Sequence, residues 1–282
     1  DMAKDYVGEI IVCDLGVQRE VYETDTNKYL LEKSDMNLPF RNKKNSHKGS
    51  FGHLNVIAGT KKGASIICAQ AGFSFGAGLV TVVAHEELNL PSHIMQNHFI
   101  SENCTAIAIG MGLGIFENDE IKKILQKDIS LVIDADLFYS KLILEVLEKE
   151  AVLTPHPKEF CSLLKLCDIA DISVDELQNN RILYVEKFCE KYQKPILLLK
   201  GANVIIAQDN KLFINSFGTQ ALSKGGSGDV LSGLIGSLLA QKYEPLEATI
   251  TASLAHSFSA RLYDKNNYSL APQDIIEGIK KL

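Results

Sequence analysis

The chain has 282 residues, a formal net charge of −6, 46% hydrophobic residues and 23% charged residues. This length is sufficient for one large α/β domain or two smaller domains, and the composition is that of an ordinary globular protein. No apolar run approaches the roughly 20 residues that span a bilayer, and no long basic run offsets the acidic balance. A membrane-spanning protein is therefore excluded, and nucleic acid is a poor candidate for the main ligand.

The cysteines and the amino-terminal segment point to a reducing compartment. Six cysteines lie along the chain and none forms a CxxC pair, so a zinc site is not expected. Most stand in apolar surroundings, where a buried free thiol is the ordinary interpretation. No basic segment followed by an apolar core marks a secretory signal, and we therefore expect a cytoplasmic protein.

The first 45 residues differ from the rest of the chain. Residues 8–16 predict a short strand followed by a turn, and residues 22–48, rich in charge and in Asn, predict a linker or a surface arm. Beyond Gly52, short apolar runs alternate with helical segments. The predicted strands cover residues 54–59, 79–84, 105–110, 131–135, 152–153 and 196–199. The predicted helices cover residues 64–75, 118–127, 141–149 and 174–192.

This alternation predicts an α/β fold with a largely parallel sheet that is covered by helices on both faces. Residues 204–207 and 212–215, joined by Asp209-Asn210, predict a hairpin. Small residues recur every four positions along the first predicted helix, at Ala64, Cys68, Gly72 and Gly76. One narrow face of small residues lets a helix lie close to a neighbouring element.

Several predicted strands run into polar or glycine-rich segments. These segments are Gly110–Gly114, Asp134–Asp136, Thr154–Glu159 and Lys200-Gly201. In parallel sheets, ligands bind beyond the carboxyl ends of the strands. Each segment taken alone is compatible with an ordinary turn, but four of them at equivalent strand ends predict a functional site at this edge of the sheet.

The strongest single feature is the glycine-rich segment Ser223–Asp229, which is followed at once by an apolar-periodic helix over residues 230–239. Three glycines ahead of a helix let backbone N–H groups point at one spot, and the helix dipole strengthens this anion site. Asp229 stands where the helix begins, so one interpretation is a helix N-cap. The other is a general base, because an anion site beside a carboxylate suits phosphoryl transfer. The chain carries no P-loop motif.

The segment Gly226-Ser227-Gly228-Asp229 at the start of a helix resembles the anion-hole motif of the ribokinase-like superfamily. More narrowly, the chain resembles the ADP/ATP-dependent NAD(P)H-hydrate dehydratase family from about His47 to the carboxyl terminus. The shared motifs, in chain order, are His47–His53, Gly76–Thr81, Gly112–Gly114, Thr154–Glu159, Lys200–Ala202 and the glycine-rich loop. The resemblance implies a ribokinase-like three-layer α/β/α fold with a mostly parallel central sheet.

The resemblance also implies a metabolite-repair reaction carried out by a hydro-lyase. Hydrated NADH and NADPH, written NADHX and NADPHX, carry a hydroxyl on C6 of the nicotinamide ring, which the enzyme phosphorylates before it expels phosphate. Bacterial members are expected to use ADP and eukaryotic members ATP, with Mg²⁺ as cofactor. Dependence on K⁺ stays open. A homo-oligomer is expected, with no fixed number of subunits.

The same resemblance assigns residues to the site. Asp229 is the general base, and the amides of residues 225–229 stabilise the phosphoryl group. The adenine nucleotide site is assigned to Lys200, Gly201, Ala202, Asn203, Val204, Gly225, Gly226, Ser227 and Gly228. The NAD(P)HX site is assigned to Ala64, Gly112, Gly114, His156 and Asp229. Glu159 is a candidate for an indirect Mg²⁺ contact through water, and no direct metal ligand is assigned.

Several residues keep a second interpretation. His156, flanked by two prolines, fits a surface turn as well as a substrate contact. Glu159 fits the first turn of a helix, where the dipole favours a carboxylate. Asp134 and Asp136 fit strand-end caps as well as groups that steer a metal or orient a base. His256 lies in an apolar helical segment, where we expect a satisfied core histidine.

Residues 1–45 are predicted to be the tail of an upstream epimerase-like domain plus a linker, and residues 46–282 the dehydratase domain. Residues 8–16 resemble the final strand of the epimerase domain to which this family is fused in many bacteria. Since the chain opens on Asp1-Met2, we expect it to be the carboxy-terminal part of a bifunctional protein.

Two other functions stay open. One is a ribokinase-like kinase for a small molecule, of the hydroxymethylpyrimidine-kinase type. The histidine and second proline of Thr154–Glu159 favour the dehydratase over such a kinase. The other is a catalytically silent nucleotide-binding module, against which the retained Asp229 argues.

Overall fold

The computed structural model describes residues 2–8, 11 and 13–282. The strand predicted within residues 8–16 includes positions outside this set and so lies outside the described residues. In the described part of the chain, no helix combines the length and the apolar character that a bilayer crossing requires. All six cysteines carry free thiols, and three of them, Cys68, Cys167 and Cys189, are buried as their apolar surroundings predict.

In the part of the chain that the structure describes, the centre of the molecule is one sheet of ten strands. The strands are β1 (Lys28–Leu30), β2 (His53–Ile57), β3 (Leu79–Val83), β4 (Met95–Asn97), β5 (Ala106–Ile109), β6 (Ser130–Ile133), β7 (Val152–Leu153), β8 (Ile196–Leu199), β9 (Val204–Gln208) and β10 (Lys211–Asn215). Their order across the sheet is β1-β10-β9-β8-β7-β6-β5-β2-β3-β4. Only β9 runs antiparallel to its neighbours, β8 and β10, so the predicted hairpin and the mostly parallel sheet are confirmed.

Helices cover both faces of this sheet. They are α1 (Lys62–Ser74), α2 (Asn118–Leu125), α3 (Pro157–Leu166), α4 (Val174–Asn179), α5 (Arg181–Lys191), α6 (Ser227–Ala240), α7 (Pro245–Arg261) and α8 (Pro272–Ile279). One core joins the sheet to α1, α6, α7 and α8, and a second core lies on the opposite face with α2 to α5. In β5, Ala106 and Ala108 face the first core, whereas Ile107 and Ile109 face the second. The predicted three-layer α/β/α arrangement is therefore confirmed.

The small-residue face of α1 packs against α6 at close range, as its spacing predicts. A Cβ atom added at Gly72 would lie 2.5 Å from Leu54 Cδ2 and 3.2 Å from the Gly233 carbonyl oxygen. A Cβ atom added at Gly233 would lie 2.2 Å from the Cys68 carbonyl oxygen. Larger side chains at these positions would push apart the two helices that flank the site.

Some elements differ from their sequence-based predictions. The helix predicted over residues 174–192 is two helices, because Asn180 takes a non-helical conformation (φ −133°, ψ 36°) between α4 and α5. The helix predicted over residues 141–149 is a 3-10 helix, Lys141–Val146. The charged arm contributes the edge strand β1, which pairs in parallel with β10.

Candidate active site

The glycine-rich loop forms the amino-terminal end of α6. Gly226 is the N-cap residue and has a left-handed backbone (φ 90°), so Asp229 is the third residue of the helix and the N-cap interpretation of Asp229 is wrong. The first turn of a helix has N–H groups without an intrahelical acceptor. The amides of Gly228 and Asp229 belong to this turn, where the helix dipole favours an anion.

Lys200 lies beside this loop and is held there by Asp134. Lys200 Nζ donates a hydrogen bond to Asp134 Oδ1 at 2.6 Å, and a Cβ atom added at Gly228 would lie 3.2 Å from the same Nζ. Asp134 is 2% exposed and also accepts a hydrogen bond from Ser232 Oγ at 2.9 Å. A buried carboxylate therefore fixes a lysine at the anion loop, in an environment where charge-assisted hydrogen bonds are strong.

The carboxyl of Asp229 is half-buried between these charges. Burial, together with the neighbouring Asp134 carboxylate, raises the pKa of Asp229 to about 6, and Lys200 opposes this rise. A carboxylate with a pKa near 6 is a stronger base than an ordinary aspartate and is still largely ionised at neutral pH. The group can therefore accept a proton from a hydroxyl that is positioned beside it.

His256 supports the loop from beneath. Its Nε2 lies 3.0 Å from the Ser227 carbonyl oxygen and 3.1 Å from Ser227 Oγ. Burial lowers the pKa of His256 to about 4, so the ring is neutral at pH 7. The prediction of a core histidine with a hydrogen-bond partner is confirmed, and the partner is Ser227, the first residue of α6.

The Gly112–Gly114 loop brings α1 and the end of β6 together. Gly112 and Gly114 both have left-handed backbones, with φ of 59° and 65°. A Cβ atom added at Gly112 would lie 3.2 Å from Ala64 Cβ, so these two predicted substrate residues are neighbours. The Gly114 amide donates to Asp136 Oδ2 at 2.8 Å. Asp136 therefore holds this loop, as Asp134 holds Lys200.

His156 is the N-cap of α3, a role that its position between two prolines does not by itself reveal. Its Nδ1 accepts hydrogen bonds from the amides of Lys158 at 3.1 Å and Glu159 at 3.3 Å. Glu159 completes the capping box, since its Oε2 accepts from the His156 amide at 2.8 Å. The ring remains 44% exposed, so His156 can both cap the helix and contact a ligand.

The segment Lys200–Val204 is fixed by groups that the sequence does not point to. Arg181, at the start of α5, donates to the carbonyl oxygens of Lys200 at 3.0 Å and Asn203 at 2.8 Å. From the amino-terminal arm, Lys4 Nζ donates to the Ala202 carbonyl at 2.6 Å. The Lys200 amide donates to the Pro155 carbonyl at 2.9 Å, which ties this segment to the loop that carries His156.

The structure thus brings the predicted residues into connected groups at the carboxyl ends of β5 to β8. Lys200 and Gly228 adjoin Asp229, Ala64 adjoins Gly112, and the His156 loop adjoins Lys200. Asp134, Ser232, Arg181 and His256 were missing from the predicted set. Asp134 had a signal in the sequence, the polar Asp134–Asp136 segment at the end of a strand, and His256 was predicted only as a core histidine.

The carboxylates of the site decide how it could hold Mg²⁺. Among the described residues, no three His, Cys, Asp or Glu side chains come together as a metal cage. Asp134 and Glu159 are already engaged with Lys200 and the α3 cap, respectively. Mg²⁺ keeps several waters and binds largely through substrate phosphates. Glu159 is buried and both of its carboxylate oxygens contact His156, so the site fits an ion that is held by the phosphates of a nucleotide.

Comparison with known proteins identifies relatives of the whole chain. The family model described as NAD(P)H-hydrate dehydratase matches residues 54–281. The bifunctional NAD(P)H-hydrate repair enzyme Nnr of Helicobacter pylori is 49% identical over 289 residues, which cover 100% of this chain and 60% of that protein. This chain therefore spans less than two thirds of that curated relative.

Two solved structures share the fold. The ADP/ATP-dependent NAD(P)H-hydrate dehydratase from Bacillus subtilis, co-crystallised with ATP and Mg²⁺, is 25% identical with a TM-score of 0.73, and the match covers 86% of this chain and 92% of that one. A ribokinase-like superfamily protein from Enterococcus faecalis has a TM-score of 0.74 at 22% identity, over 92% and 96% of the two chains. The ribokinase-like fold is thereby confirmed.

Proposed function

The chain belongs to the NAD(P)H-hydrate dehydratase family, and we propose that it is a hydro-lyase that restores NADH and NADPH from their hydrates, driven by an adenine nucleotide. The observation that carries the proposal is the Asp229 carboxyl, with its pKa raised to about 6, next to the amides of the glycine loop and to Lys200. A carboxyl with a raised pKa, amide donors and a cation near one another support this proposal, because phosphoryl transfer to a hydroxyl requires a base, anion donors and positive charge.

In the proposed reaction, Asp229 takes the proton of the C6 hydroxyl while the oxygen of that hydroxyl attacks the terminal phosphorus of the nucleotide. The first-turn amides of α6 and the Lys200 ammonium stabilise the charge on the transferred group. Phosphate then leaves C6, and a ring proton leaves with it to restore the double bond of the reduced nicotinamide. Phosphorylation is needed because hydroxide is a poor leaving group, whereas phosphate is a good one.

The nucleotide is assigned to the segment Lys200–Val204 and to Gly225–Gly228, and the hydrated ring to Ala64, the Gly112–Gly114 loop and His156. Mg²⁺, when bound with the nucleotide, neutralises phosphate charge. The name of the Bacillus subtilis relative supports use of both ADP and ATP; K⁺ dependence and a homo-oligomeric assembly remain part of the proposal. The six free thiols suit the cytoplasm.

We assign the dehydratase to residues 46–282, a boundary supported by the family match that begins at residue 54. Residues 1–45 are proposed to be the tail of an epimerase-like domain, which the bifunctional name of the Helicobacter pylori relative supports. In this assignment the arm still contacts the dehydratase, through β1 and through Lys4.

The direct test is recovery of NADH absorbance from hydrated NADH in the presence of Mg²⁺ and either ADP or ATP. Since Asp229 must be ionised, kcat/KM should rise tenfold per pH unit below its pKa of about 6 and level off above pH 7. Absence of recovery with both nucleotides would refute the dehydratase. Phosphate transfer to another hydroxyl compound would then favour the small-molecule kinase, and nucleotide binding alone the silent module.

Replacing His156 separates its two roles. Asn is a good N-cap, so His156→Asn should keep the melting temperature while it removes the exposed ring. We expect KM for NADHX to rise roughly 3- to 10-fold, the effect of one lost contact. His156→Ala should show the same rise in KM and also lose about 1 kcal/mol of stability. An unchanged KM in His156→Asn would leave His156 as a helix cap only.

A further inference from the structure

A cavity of about 290 Å³ opens at the carboxyl ends of β2 and β3, beyond the residues assigned to the hydrated ring. Its floor is apolar and is formed by Ile57 and Val83, the last residues of these strands, with Leu113 and Ile121 beside them. All four floor side chains are buried. An apolar floor of this kind suits one face of a nucleoside base.

The cavity shares a wall with the proposed active site. The turn between β2 and α1 is bonded to the glycine loop after β5, because the amides of Thr60 and Lys61 donate to the carbonyl oxygens of Leu113 at 3.1 Å and Gly112 at 3.0 Å. In the sheet, β5 and β2 lie between β6 and β3. Three strand spacings, about 14 Å, therefore separate the end of β6, where Asp134 lies, from the end of β3.

The rim of the cavity is acidic. It carries three carboxylates, Glu86, Glu117 and Glu120, against one lysine, Lys62, which is paired with Glu86. Glu117 and Glu120 lie at the N-cap and in the first turn of α2, where their charges offset the positive end of the helix dipole. The other polar side chains of the lining are Thr60 and two histidines, and His85 Nε2 lies 3.2 Å from Glu120 Oε2. Such a rim can accept hydrogen bonds from ribose hydroxyls but disfavours a phosphate.

We propose that this cavity holds the nucleoside at the far end of the hydrated dinucleotide, and that Glu117 and Glu120 select NADHX over NADPHX. The inference rests on the proposed function. A dinucleotide whose nicotinamide lies at Asp229 must cross the edge of the sheet, and the Gly112–Gly114 loop lies on that path. Its glycines let the pyrophosphate approach the backbone closely. The 2′-phosphate of NADPHX adds nearly two negative charges at the acidic rim.

The test measures the preference between the two dinucleotides in two ways. Dissociation constants of the products NADH and NADPH, from fluorescence titration, need no turnover, and kcat/KM is compared for NADHX and NADPHX. At pH 8, where free histidine is neutral, the wild type should favour the form without the 2′-phosphate by about 5- to 20-fold. The double variant Glu117→Gln/Glu120→Gln should bring this ratio to within about twofold of one. Glu190→Gln, an exposed carboxylate on α5, is the matched control and should keep the wild-type ratio.

The possible outcomes distinguish a wrong assignment of the cavity from a wrong assignment of the reaction. Equal affinity of the wild type for NADH and NADPH, or a double variant with the wild-type ratio, overturns the inference. The same holds if neither product binds. Preferential binding of NADH, lost in the double variant, combined with no recovery of NADH from its hydrate, would instead refute the proposed reaction while the cavity assignment stands.

Discussion

Asp229→Asn is expected to lower kcat by about 10²-fold or more, because asparagine cannot take the proton of the C6 hydroxyl. The change conserves the shape of the side chain and leaves the amides of the glycine loop in place. KM for the nucleotide should therefore change little, since the anion site and Lys200 remain. Single-turnover recovery of NADH at saturating nucleotide is the measurement that isolates this loss.

The same variant should become more stable at neutral pH. The raised pKa, about 6 against about 3.9 for an ordinary aspartate, means that the folded state holds its proton more tightly than the unfolded state does. The contribution of Asp229 to stability therefore falls as pH rises from about 4 to about 6, and above pH 6 the ionised carboxylate costs up to about 3 kcal/mol. Asp229→Asn removes this cost at pH 8 but not at pH 4.

Chemical denaturation at these two pH values tests the stability effect. A lower activity together with a higher free energy of unfolding excludes misfolding as the reason for the lost activity. Such an exchange of stability for activity is common where a charged group is held in a buried site. Full activity in Asp229→Asn would reject the assignment of the base and leave the fold assignment unaffected.

The central sheet is predictable because its strands are buried on both faces. Ile196–Leu199 and Ala106–Ile109 read as continuous apolar runs, and the alternation with helices fixes a parallel arrangement. The edge strands are not predictable in this way. Lys28–Leu30 and Met95–Asn97 have three residues each and mostly exposed side chains, so their pairing depends on the neighbouring strand rather than on their own pattern.

The features of the site also differ in whether the sequence predicts them. The glycine loop is a local motif, and its residues are adjacent in the chain, so the sequence alone predicts an anion site. The contacts of Lys200 with Asp134, 66 residues away, and of His256 with Ser227 depend on which strands and helices become neighbours. No local spacing records that order. The proposed base, Asp229, is therefore predictable as a residue, whereas the charges that set its pKa are visible only in the structure.

The conformation of the glycine loop is tested by two neighbouring alanine substitutions. Gly226 has a φ of 90°, and a Cβ atom there would lie 2.5 Å from Pro272 Cγ and 3.2 Å from Ile67 Cδ1. Alanine at this position must therefore either leave the left-handed region or displace α8 and α1. Both changes move the first turn of α6, whose amides are proposed to hold the transferred phosphoryl group. We expect Gly226→Ala to lower kcat by about 10²- to 10³-fold, the loss that follows removal of an oxyanion donor.

Gly225→Ala is the matched comparison within the same loop. No heavy atom lies within 4 Å of a Cβ added at Gly225, and its φ lies outside the left-handed region. Its loss in kcat should stay below about threefold, because an exposed residue without steric conflict changes stability little. Inhibition by inorganic phosphate, measured on both variants, reports phosphate binding at the anion site directly. Only Gly226→Ala should weaken this inhibition. Equal losses in the two variants would mean that glycine serves here by leaving room for the ligand, and that the left-handed turn at Gly226 is not what aligns the amides of α6.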